Sequence, residues 1–308
     1  MNKHIYSTLK FLAFQKCKII SFVCKIPFFG ELIKKASYSN HLSFKRKKIN
    51  KATVVNQRVI SICFITDIHW GANIKKSPEM MRILFERCNI DALVFGGDFI
   101  THSDFDKNAM IELGLDFFNQ IKFANDRLCC VVGNHDDNSY QQANHDSILN
   151  EYEIKNVLFS NPYFLKCKDC YKFNYYVDFP KNKCRLLFLD TSNRKVDKSQ
   201  FDYIVKILNS TQEGWQIIAL AHIWLEWNPT TIHYEANCQT KEIIKIFDCF
   251  NLRTNTEHDF SNAKGNVSLM IGGHIHKDYK AYSEGGYLSF CVTQMLMGKP
   301  AIDYILPF

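Results

Sequence analysis

Five short clusters of aspartate, asparagine and histidine, each at the end of an apolar run, constrain this fold more than any other feature. The runs are short and rich in Val, Ile, Leu, Phe and Cys, which is typical of buried strands. Ligands at strand ends can converge on one place in an open α/β sheet, where rigid strands hold them. The pattern therefore predicts a polynuclear metal site and an enzyme. The runs and their clusters are 60–65 with Asp67-Ile68-His69, 92–95 with Gly97-Asp98, 128–132 with Gly133-Asn134-His135-Asp136, 215–220 with Ala221-His222, and 267–271 with Gly273-His274-Ile275-His276.

The distribution of charge divides the chain near residue 56. Residues 1–56 contain twelve Lys and Arg residues against one acid, Glu31, which gives a net charge of +11. The remainder contains 26 basic and 30 acidic residues, which gives −4. We expect a basic, apolar N-terminal extension over 1–56 and a catalytic domain over 57–308, long enough to bury its own core. Because a nuclease of long duplexes usually needs a basic face, nucleic acid is an alternative partner that the charge does not favour.

The N-terminal extension combines lysines with bulky apolar residues. Its longest uncharged stretch is far shorter than the ~18–20 residues of a transmembrane helix, and Lys16, Lys18 and Lys25 interrupt it. No small-residue cleavage site follows an uninterrupted apolar stretch, so we do not expect a secretory signal. Two interpretations stay open. The extension is either an interfacial segment attracted to anionic lipid or a helical extension packed on the catalytic domain.

The chain contains twelve cysteines. Many lie within apolar runs, as do Cys63, Cys129, Cys130 and Cys291, and this is typical of buried thiols in a reducing compartment. We therefore expect a cytoplasmic protein. Peripheral contact at the inner face of the membrane, through residues 1–56, is the alternative that the N-terminal extension leaves open.

From about residue 57 the predicted strands alternate with helical stretches. Apolar residues at helical spacing predict helices over 77–88, 108–123 and 241–250. Further strands are expected at 171–179 and 185–190. A Glu-Gly-Gly turn within 281–288 predicts a hairpin. This alternation favours the α/β class.

In their order, the five clusters resemble the signature of the calcineurin-like metallophosphoesterase superfamily, which reads D-x-H, G-D, G-N-H-[DE], a lone His and G-H-x-H. The match spans roughly residues 60 to 280. One D-x-H alone is weak evidence, but all five motifs in order, each behind a predicted strand, are strong evidence. The resemblance implies a four-layer α/β/β/α sandwich of two mixed β-sheets, with a metal site at one edge. It identifies the superfamily only, because the same scaffold serves many substrates.

The resemblance also implies two divalent or trivalent metal ions. Carboxylate and imidazole ligands suit Mn, Fe or Zn. Such a pair clamps phosphoryl oxygens and lowers the pKa of a shared water, so the implied reaction is hydrolysis of a phosphomonoester or phosphodiester by a metal-bridging hydroxide. The implied ligands are Asp67, His69 and His276 for the first ion, Asn134, His222 and His274 for the second, and Asp98 as the bridge.

His135 resembles the family's proton donor to the leaving group. In the phosphoprotein phosphatase branch, an acid three residues after the G-D aspartate orients that histidine. Thr101 stands at this position here, and Asp104 and Asp136 are the candidates to replace the acid. The departure argues against a protein Ser/Thr phosphatase of that branch. The lipid-A pathway pyrophosphatases carry Arg at the position of His135, which argues against their substrate.

The expected partner is a phosphate-ester small molecule, and three alternatives stay open. The first is a nucleic-acid nuclease of the same superfamily. The second is a membrane-associated phosphoesterase acting on lipid-linked phosphates. The third and least favoured is a non-catalytic scaffold, because this chain has lost none of the implied ligands. Residues 190–193 end another predicted strand, and some members of the superfamily place substrate contacts nearby.

Overall fold

A computed structural model of the protein describes most of the chain beyond residue 59. The described residues are 60–71, 78, 81–82, 85–86, 90–100, 107–124, 126–138, 145–158, 169–192, 196–225, 238–254, 257–276 and 279–292. The predicted extension over 1–56 lies outside them, so the division at residue 56 stays a prediction. Within the described part of the chain, no helix is long and apolar enough to cross a lipid bilayer.

The first sheet contains the three strands that precede the first three polar clusters. They are β1 (Ile62–Ile65), β2 (Ala92–Phe95) and β3 (Leu128–Cys130), hydrogen-bonded in the order β1-β2-β3 with both pairs parallel. Every residue of β2 and β3 is buried, as expected for a parallel sheet that is covered on both faces. The three strands predicted from apolar runs are confirmed, with β1 and β3 shorter by two residues each.

The second sheet is mixed and contains six strands in the order β4-β5-β6-β7-β9-β8. Strands β5, β6, β7 and β9 are parallel, whereas β4 and β8 pair antiparallel at the two edges. The hairpin predicted around 281–288 is confirmed as β8 and β9. The strand bounds are β4 (Tyr175–Phe179), β5 (Cys184–Leu189), β6 (Gln216–Ile223), β7 (Asn266–Gly273), β8 (Tyr279–Tyr282) and β9 (Leu288–Cys291).

Helices cover the outer faces of the two sheets and complete the four layers of the predicted α/β/β/α sandwich. Helix α1 buries Phe117, whose ring centroid lies 5.3 Å from that of Phe95 on the first sheet. Helices α3 and α4 bury apolar side chains in one core with strands β5 to β7. The described residues of the predicted helix over 77–88 are helical. The helix bounds are α1 (Lys107–Gln120), α2 (Glu151–Leu158), α3 (Lys198–Asn209) and α4 (Cys238–Leu252).

Helices α2 and α3 were not among the predicted elements, although the sequence signals where each one starts. Asn150 accepts a hydrogen bond from the main chain of Glu153, and the Glu153 carboxylate accepts one from the main chain of Asn150. This reciprocal pair is a capping box. Asp197 caps α3 in a related way by accepting the main-chain N–H of Gln200. A search for capping residues, and not only for apolar spacing, finds both starts.

A tyrosine hydroxyl links the two sheets directly. The Tyr175 hydroxyl, on β4, donates to the Cys130 carbonyl at 2.8 Å and accepts the Cys130 N–H at 2.9 Å. Val131 instead donates its N–H to Phe95 on β2. Tyr175 therefore satisfies the free edge of β3, where an unpaired buried N–H and carbonyl would cost free energy.

Candidate metal centre

Parallel strands bring the polar clusters to one edge of the molecule. Asp67 and His69 follow β1, Asp98 follows β2, and Asn134 follows β3. On the second sheet, the candidate ligands lie at the carboxyl ends of β6 and β7. One difference from prediction is that β6 continues through His222, so this histidine lies inside a strand and not after it.

The backbone of the site is left-handed at five of the seven candidate ligands. This region is sparsely populated by residues other than glycine, and Asp and His are among the residues that tolerate it. Each such residue costs about 1–2 kcal/mol relative to ordinary backbone, and such strain clusters at functional sites. The five are Asp67 (φ 55°), His69 (φ 49°), Asp98 (φ 51°), His274 (φ 73°) and His276 (φ 57°).

Two glycines allow the segments of the site to approach closely. Gly97 has a φ of +89°, and a Cβ there would lie 2.6 Å from Nδ1 of His222. A Cβ at Gly133 would lie 2.2 Å from both the main-chain nitrogen and Oδ1 of Asp98. The motif glycines are therefore required by contact distances, because any side chain would displace a candidate ligand.

The first group of ligand atoms consists of Asp67, His69 and His276. Their ligand atoms lie within 4.8 Å of one another, with Nε2 of His276 3.0 Å from Oδ1 of Asp67 and 3.5 Å from Nε2 of His69. Oδ2 of Asp67 accepts hydrogen bonds from the Thr66 hydroxyl and the His274 N–H. These two donors fix the carboxylate with Oδ1 towards the histidines. Sequence reasoning missed Thr66, which stands directly before the D-x-H motif.

The second group contains Asp98, Asn134, His222 and His274. The ligand atoms of the acid and the two histidines lie within 4.8 Å of one another. Nε2 of His222 lies 3.0 Å from Oδ1 of Asn134, 3.2 Å from Oδ2 of Asp98 and 3.3 Å from Nδ1 of His274. Asp98 also groups with His69, so its carboxylate lies between the two sets.

The protonation of His222 follows from its other contact. Nδ1 lies 2.8 Å from the Gly96 carbonyl oxygen. Because a carbonyl only accepts hydrogen bonds, Nδ1 carries a hydrogen, and in the neutral ring Nε2 presents a lone pair. That lone pair faces a carboxylate oxygen and an amide oxygen at hydrogen-bond distance. Buried electron-pair donors that face one another need a shared cation between them, either a proton or a metal ion.

The pKa values of the buried groups also indicate that this cluster favours a bound cation. Burial alone would lower the pKa of His222, but the charges of Asp98 and Asp67 and the hydrogen bonds to Asp98 and Gly96 raise it to about 10. Burial would raise the pKa of Asp98, yet the charge of His222 and its other imidazole neighbours holds it well below its ordinary value. Burial lowers the pKa of His69. In the absence of metal, the site therefore retains a proton on an imidazole.

His135 lies beside the second group and is half-buried. The main-chain N–H of His135 donates to Oδ1 of Asp98 at 2.9 Å, and Nε2 of its imidazole lies 3.7 Å from Oδ2 of the same carboxylate. Its ring lies edge-on to His69, with centroids 4.8 Å apart. A group formed by His69, Asp98 and His135 could also hold a cation. His135 is thus within reach of the chemistry, whether as a ligand or as a proton donor.

Asp136 has a different role from the one considered in the sequence. Both of its carboxylate oxygens accept main-chain N–H groups: Oδ2 from Gly133 at 2.7 Å and Asp98 at 2.9 Å, and Oδ1 from Ile100 at 3.2 Å. Its carboxylate therefore ties the loop after β2 to the loop after β3. Burial, followed by the charge of Asp98, raises its pKa well above the ordinary value.

The other two positions considered beside His135, Thr101 and Asp104, lie outside the described residues. The four buried cysteines named from the sequence, in contrast, are all described. Cys63, Cys129, Cys130 and Cys291 are each at most 2% exposed. Their burial in the apolar runs is confirmed.

Comparison with known proteins identifies the family. The calcineurin-like phosphoesterase family matches residues 60–278, which include all five clusters and more than half of the chain. The chain belongs to this family. As a calcineurin-like phosphoesterase it is a metal-dependent hydrolase of phosphate esters. No curated protein matches it in sequence.

Two solved structures share the fold of this calcineurin-like phosphoesterase. A dimetal phosphatase from Danio rerio is 12% identical and superposes with a TM-score of 0.52, covering 77% of this chain and 88% of its own. A purple acid phosphatase from yellow lupin (Lupinus luteus) seeds is 16% identical with a TM-score of 0.52, covering 81% of this chain. This chain spans 46% of the lupin enzyme. At these identities the likeness establishes the fold alone.

Proposed function

We propose that this protein hydrolyses a phosphomonoester or phosphodiester by using two metal ions, of Mn, Fe or Zn, at the edge where the two sheets meet. One observation carries the proposal. Three buried electron-pair donors meet at this point. Nε2 of His222 lies 3.2 Å from Oδ2 of Asp98 and 3.0 Å from Oδ1 of Asn134. Such a cluster is stable only around positive charge, which a metal ion would provide in place of the proton on His222.

The donor set fits a pair of borderline ions. Carboxylate oxygens, imidazole nitrogens and one amide oxygen suit Mn, Fe or Zn. A third group, formed by His69, Asp98 and His135, shares His69 with the first group of ligands and Asp98 with the second. The two oxygens of a carboxylate can bind two cations at once. In the proposed assignment Asp67, His69 and His276 hold one ion, Asn134, His222 and His274 hold the other, and Asp98 bridges them.

Asn134 supplies a second test of fit. Its Nδ2 is buried and has no hydrogen-bond partner among the described residues. Buried amide donors are almost always paired, so a bound group with an acceptor oxygen is expected beside it. A phosphoryl oxygen or an ordered water meets that requirement.

The residues of the proposed site differ in burial, and we assign their roles accordingly. Asp67, Asp98 and His222 are almost fully buried and fix the charge and geometry of the centre. The side chain of His276 is 39% exposed and that of His135 is 12% exposed, so the phosphate ester approaches from their side. When bound, two ions of this kind hold the phosphoryl oxygens and lower the pKa of a water molecule.

His135 is the proposed donor of a proton to the leaving oxygen. Its main chain is tied to Asp98, which holds the imidazole beside the reacting group. A positioned general acid accelerates such a step about 10²–10⁴-fold. Asp136 supports the His135 loop through the main chain, because its carboxylate accepts the N–H groups of Gly133, Asp98 and Ile100.

The proposal is tested by stripping metal from the full-length protein, restoring Mn²⁺ and measuring both bound ions and turnover. The substrate panel contains phosphomonoesters, cyclic nucleotides, dinucleotides and phosphodiesters. We expect two equivalents of metal and activity that returns with them. Asp98→Asn should lose metal and activity together, and a variant that keeps both would contradict the bridging assignment. Failure to take up any ion would overturn the proposed function.

Two of the sequence-based alternatives have their own tests. Cleavage of polynucleotides with a steep dependence on salt would favour a nuclease. Co-sedimentation with anionic vesicles that is lost without residues 1–56 would favour an enzyme of lipid-linked phosphates.

A further inference from the structure

Strand β6 extends beyond its neighbour at the position of His222. Strand β5 ends at Leu189, which pairs with Ala221, whereas β6 continues to Ile223. The pairing of β6 with β7 is also irregular here, since its register shifts between Leu220 and Ile223. Bulges of this kind change the direction of a side chain next to an active site. The segment that carries His222 therefore needs support from outside the regular sheet.

Thr191 provides that support. Its hydroxyl accepts the main-chain N–H of Ile223 at 3.0 Å, and the residue is only 2% exposed. The hydroxyl replaces a main-chain acceptor at the point where β5 has ended. Ile223 pairs on its other side with Gly273, the residue before His274. This side-chain hydrogen bond thus fixes Ile223, which follows His222 and pairs with the residue before His274. His222 and His274 are candidate ligands of the same ion.

The turn that presents Thr191 is held at Asp190, its first residue. The Asp190 N–H donates to Oδ1 of Asn174, and Nε2 of Gln200 donates to the Asp190 carbonyl at 2.7 Å. Within the turn, the N–H and the hydroxyl of Ser192 both donate to Oδ1 of Asp190. Asn174 and Gln200 are themselves buried and bonded to each other at 2.8 Å. Such a network of buried polar groups defines one position for the Thr191 hydroxyl.

We propose that Thr191 is a positioning residue for the ion held by Asn134, His222 and His274. This inference rests on the proposed function, because it assigns a role within that metal centre. Without the hydroxyl, the buried Ile223 N–H has no partner and the bulge relaxes. Metal–ligand distances tolerate shifts of only about 0.2 Å, so a relaxed His222 binds the ion less well.

The effect should be selective for one ion. The Thr191 hydroxyl contacts the N–H of Ile223, the residue after His222, whereas it reaches Asp67 only indirectly, through Gly273 and the hydrogen bond that the His274 N–H donates to Oδ2 of Asp67. Residues that orient ligands from outside typically change metal affinity about 10–100-fold. We therefore expect weaker binding of the second equivalent of metal and a smaller change in the first.

The test compares Thr191→Val, Thr191→Ser and Thr211→Val in the full-length protein. Valine keeps the shape and removes the hydroxyl, while serine restores it. Thr211 is a matched control, because its hydroxyl is also buried, is bonded to Arg185 and Ile207, and lies before the opposite end of β6. The readouts are Mn²⁺ titration of the metal-free protein, bound metal by elemental analysis, thermal unfolding, and kcat and KM.

The expected result for Thr191→Val is a second Mn²⁺ equivalent bound about 10–100-fold more weakly and a kcat that recovers as Mn²⁺ is raised. Thr191→Ser should bind as the wild type does, and Thr211→Val should lose thermal stability while keeping both ions. A Thr191→Val protein that binds two ions with unchanged affinity would overturn the role of Thr191 alone. A wild-type protein that takes up no ion would overturn the proposed function and this role with it.

Discussion

Oδ2 of Asp98 lies 3.2 Å from Nε2 of His222, and both side chains are at most 1% exposed. The other ring nitrogen, Nδ1, already donates to the Gly96 carbonyl. A buried carboxylate beside the lone pair of a neutral imidazole is unfavourable, so this pair holds either a proton or a metal ion. Competition between the two cations makes the centre dependent on pH.

The first prediction concerns the metal-free protein. The pKa of His222 is raised from about 6.5 to about 10, so its proton stabilises the fold fully below about pH 6.5. That contribution is lost as the pH rises through about 10. The free energy of unfolding in EDTA should therefore fall between pH 7 and pH 10. Urea unfolding measures it, and His222→Gln should show a flatter profile.

Metal uptake should also depend on pH, because the metal ion and the proton compete for His222. An ion that binds Nε2 of His222 must displace the proton, so binding near pH 8 should release protons and tighten as the pH rises. Calorimetry in two buffers of different ionisation enthalpy measures the number released. Uptake without proton release would contradict the proposed protonation of His222.

The second prediction separates the two possible roles of His135. If it donates a proton to the leaving oxygen, His135→Ala should slow an alkyl phosphate about 10²–10⁴-fold. A nitrophenyl ester, whose leaving group needs no proton, should be affected far less, and bound metal should not change. Steady-state rates on the two esters test this. Loss of metal would identify His135 as a ligand, and equal slowing of both esters would argue against proton donation.

The strands and the candidate ligands were accessible from sequence because each lies within a few residues of the signal that predicts it. Short apolar runs predicted β1, β2 and β3 to within two residues, and the polar residues that follow them meet at one edge of the molecule, as parallel topology requires. The ligand roles of these residues stay a proposal. The family and the fold follow from the same local signals.

Other features depend on residues that are distant in sequence. Asp136 looked like a neighbour of His135, yet its carboxylate accepts from the main chain of Asp98 and Ile100, more than thirty residues earlier. The position of His222 inside β6 depends on a register shift against β7. Local patterns carry no record of either relationship, because tertiary contacts create both.

The third prediction concerns Asp136. Its carboxylate accepts three buried main-chain N–H groups. Asparagine can accept two of the three and presents an NH2 group to the remaining one, so Asp136→Asn should cost about 1–3 kcal/mol. Asp136→Ala should cost more and should weaken metal binding, because the loops of Asp98 and Asn134 separate. Chemical denaturation and Mn²⁺ titration measure the two effects, and an unaffected metal affinity in Asp136→Ala would contradict the assignment.

The fourth prediction uses the left-handed backbone of His276, where φ is 57°. His276→Gly and His276→Ala both remove the imidazole, and they differ only in the Cβ atom. The glycine variant should be more stable than the alanine variant by about 1 kcal/mol, although both should bind metal less well than the wild type. Thermal unfolding of the two metal-free variants measures the difference. Equal stabilities would mean that the strain at this backbone is no larger than the unfolded-state entropy that glycine adds.

The fifth prediction concerns the Tyr175 hydroxyl, which links the two sheets. Tyr175→Phe keeps the ring stacked on Phe188, whose centroid is 4.3 Å away, but leaves the N–H and carbonyl of Cys130 without their partner. The loss of these two buried hydrogen bonds should cost about 1–3 kcal/mol. Tyr203→Phe is the control, since its hydroxyl makes one partly buried bond to Asp169.

The comparison of the two tyrosines also separates fold stability from catalysis. Tyr175 contacts Cys130, the last residue of β3, and the candidate ligands after β3 begin four residues later at Asn134. Tyr175→Phe should therefore unfold at lower urea concentration than Tyr203→Phe while keeping kcat near wild type in the absence of denaturant. If the two variants unfold together, the Cys130 edge is satisfied in another way. If kcat falls at full folding, the hydroxyl also positions the loop that carries Asn134.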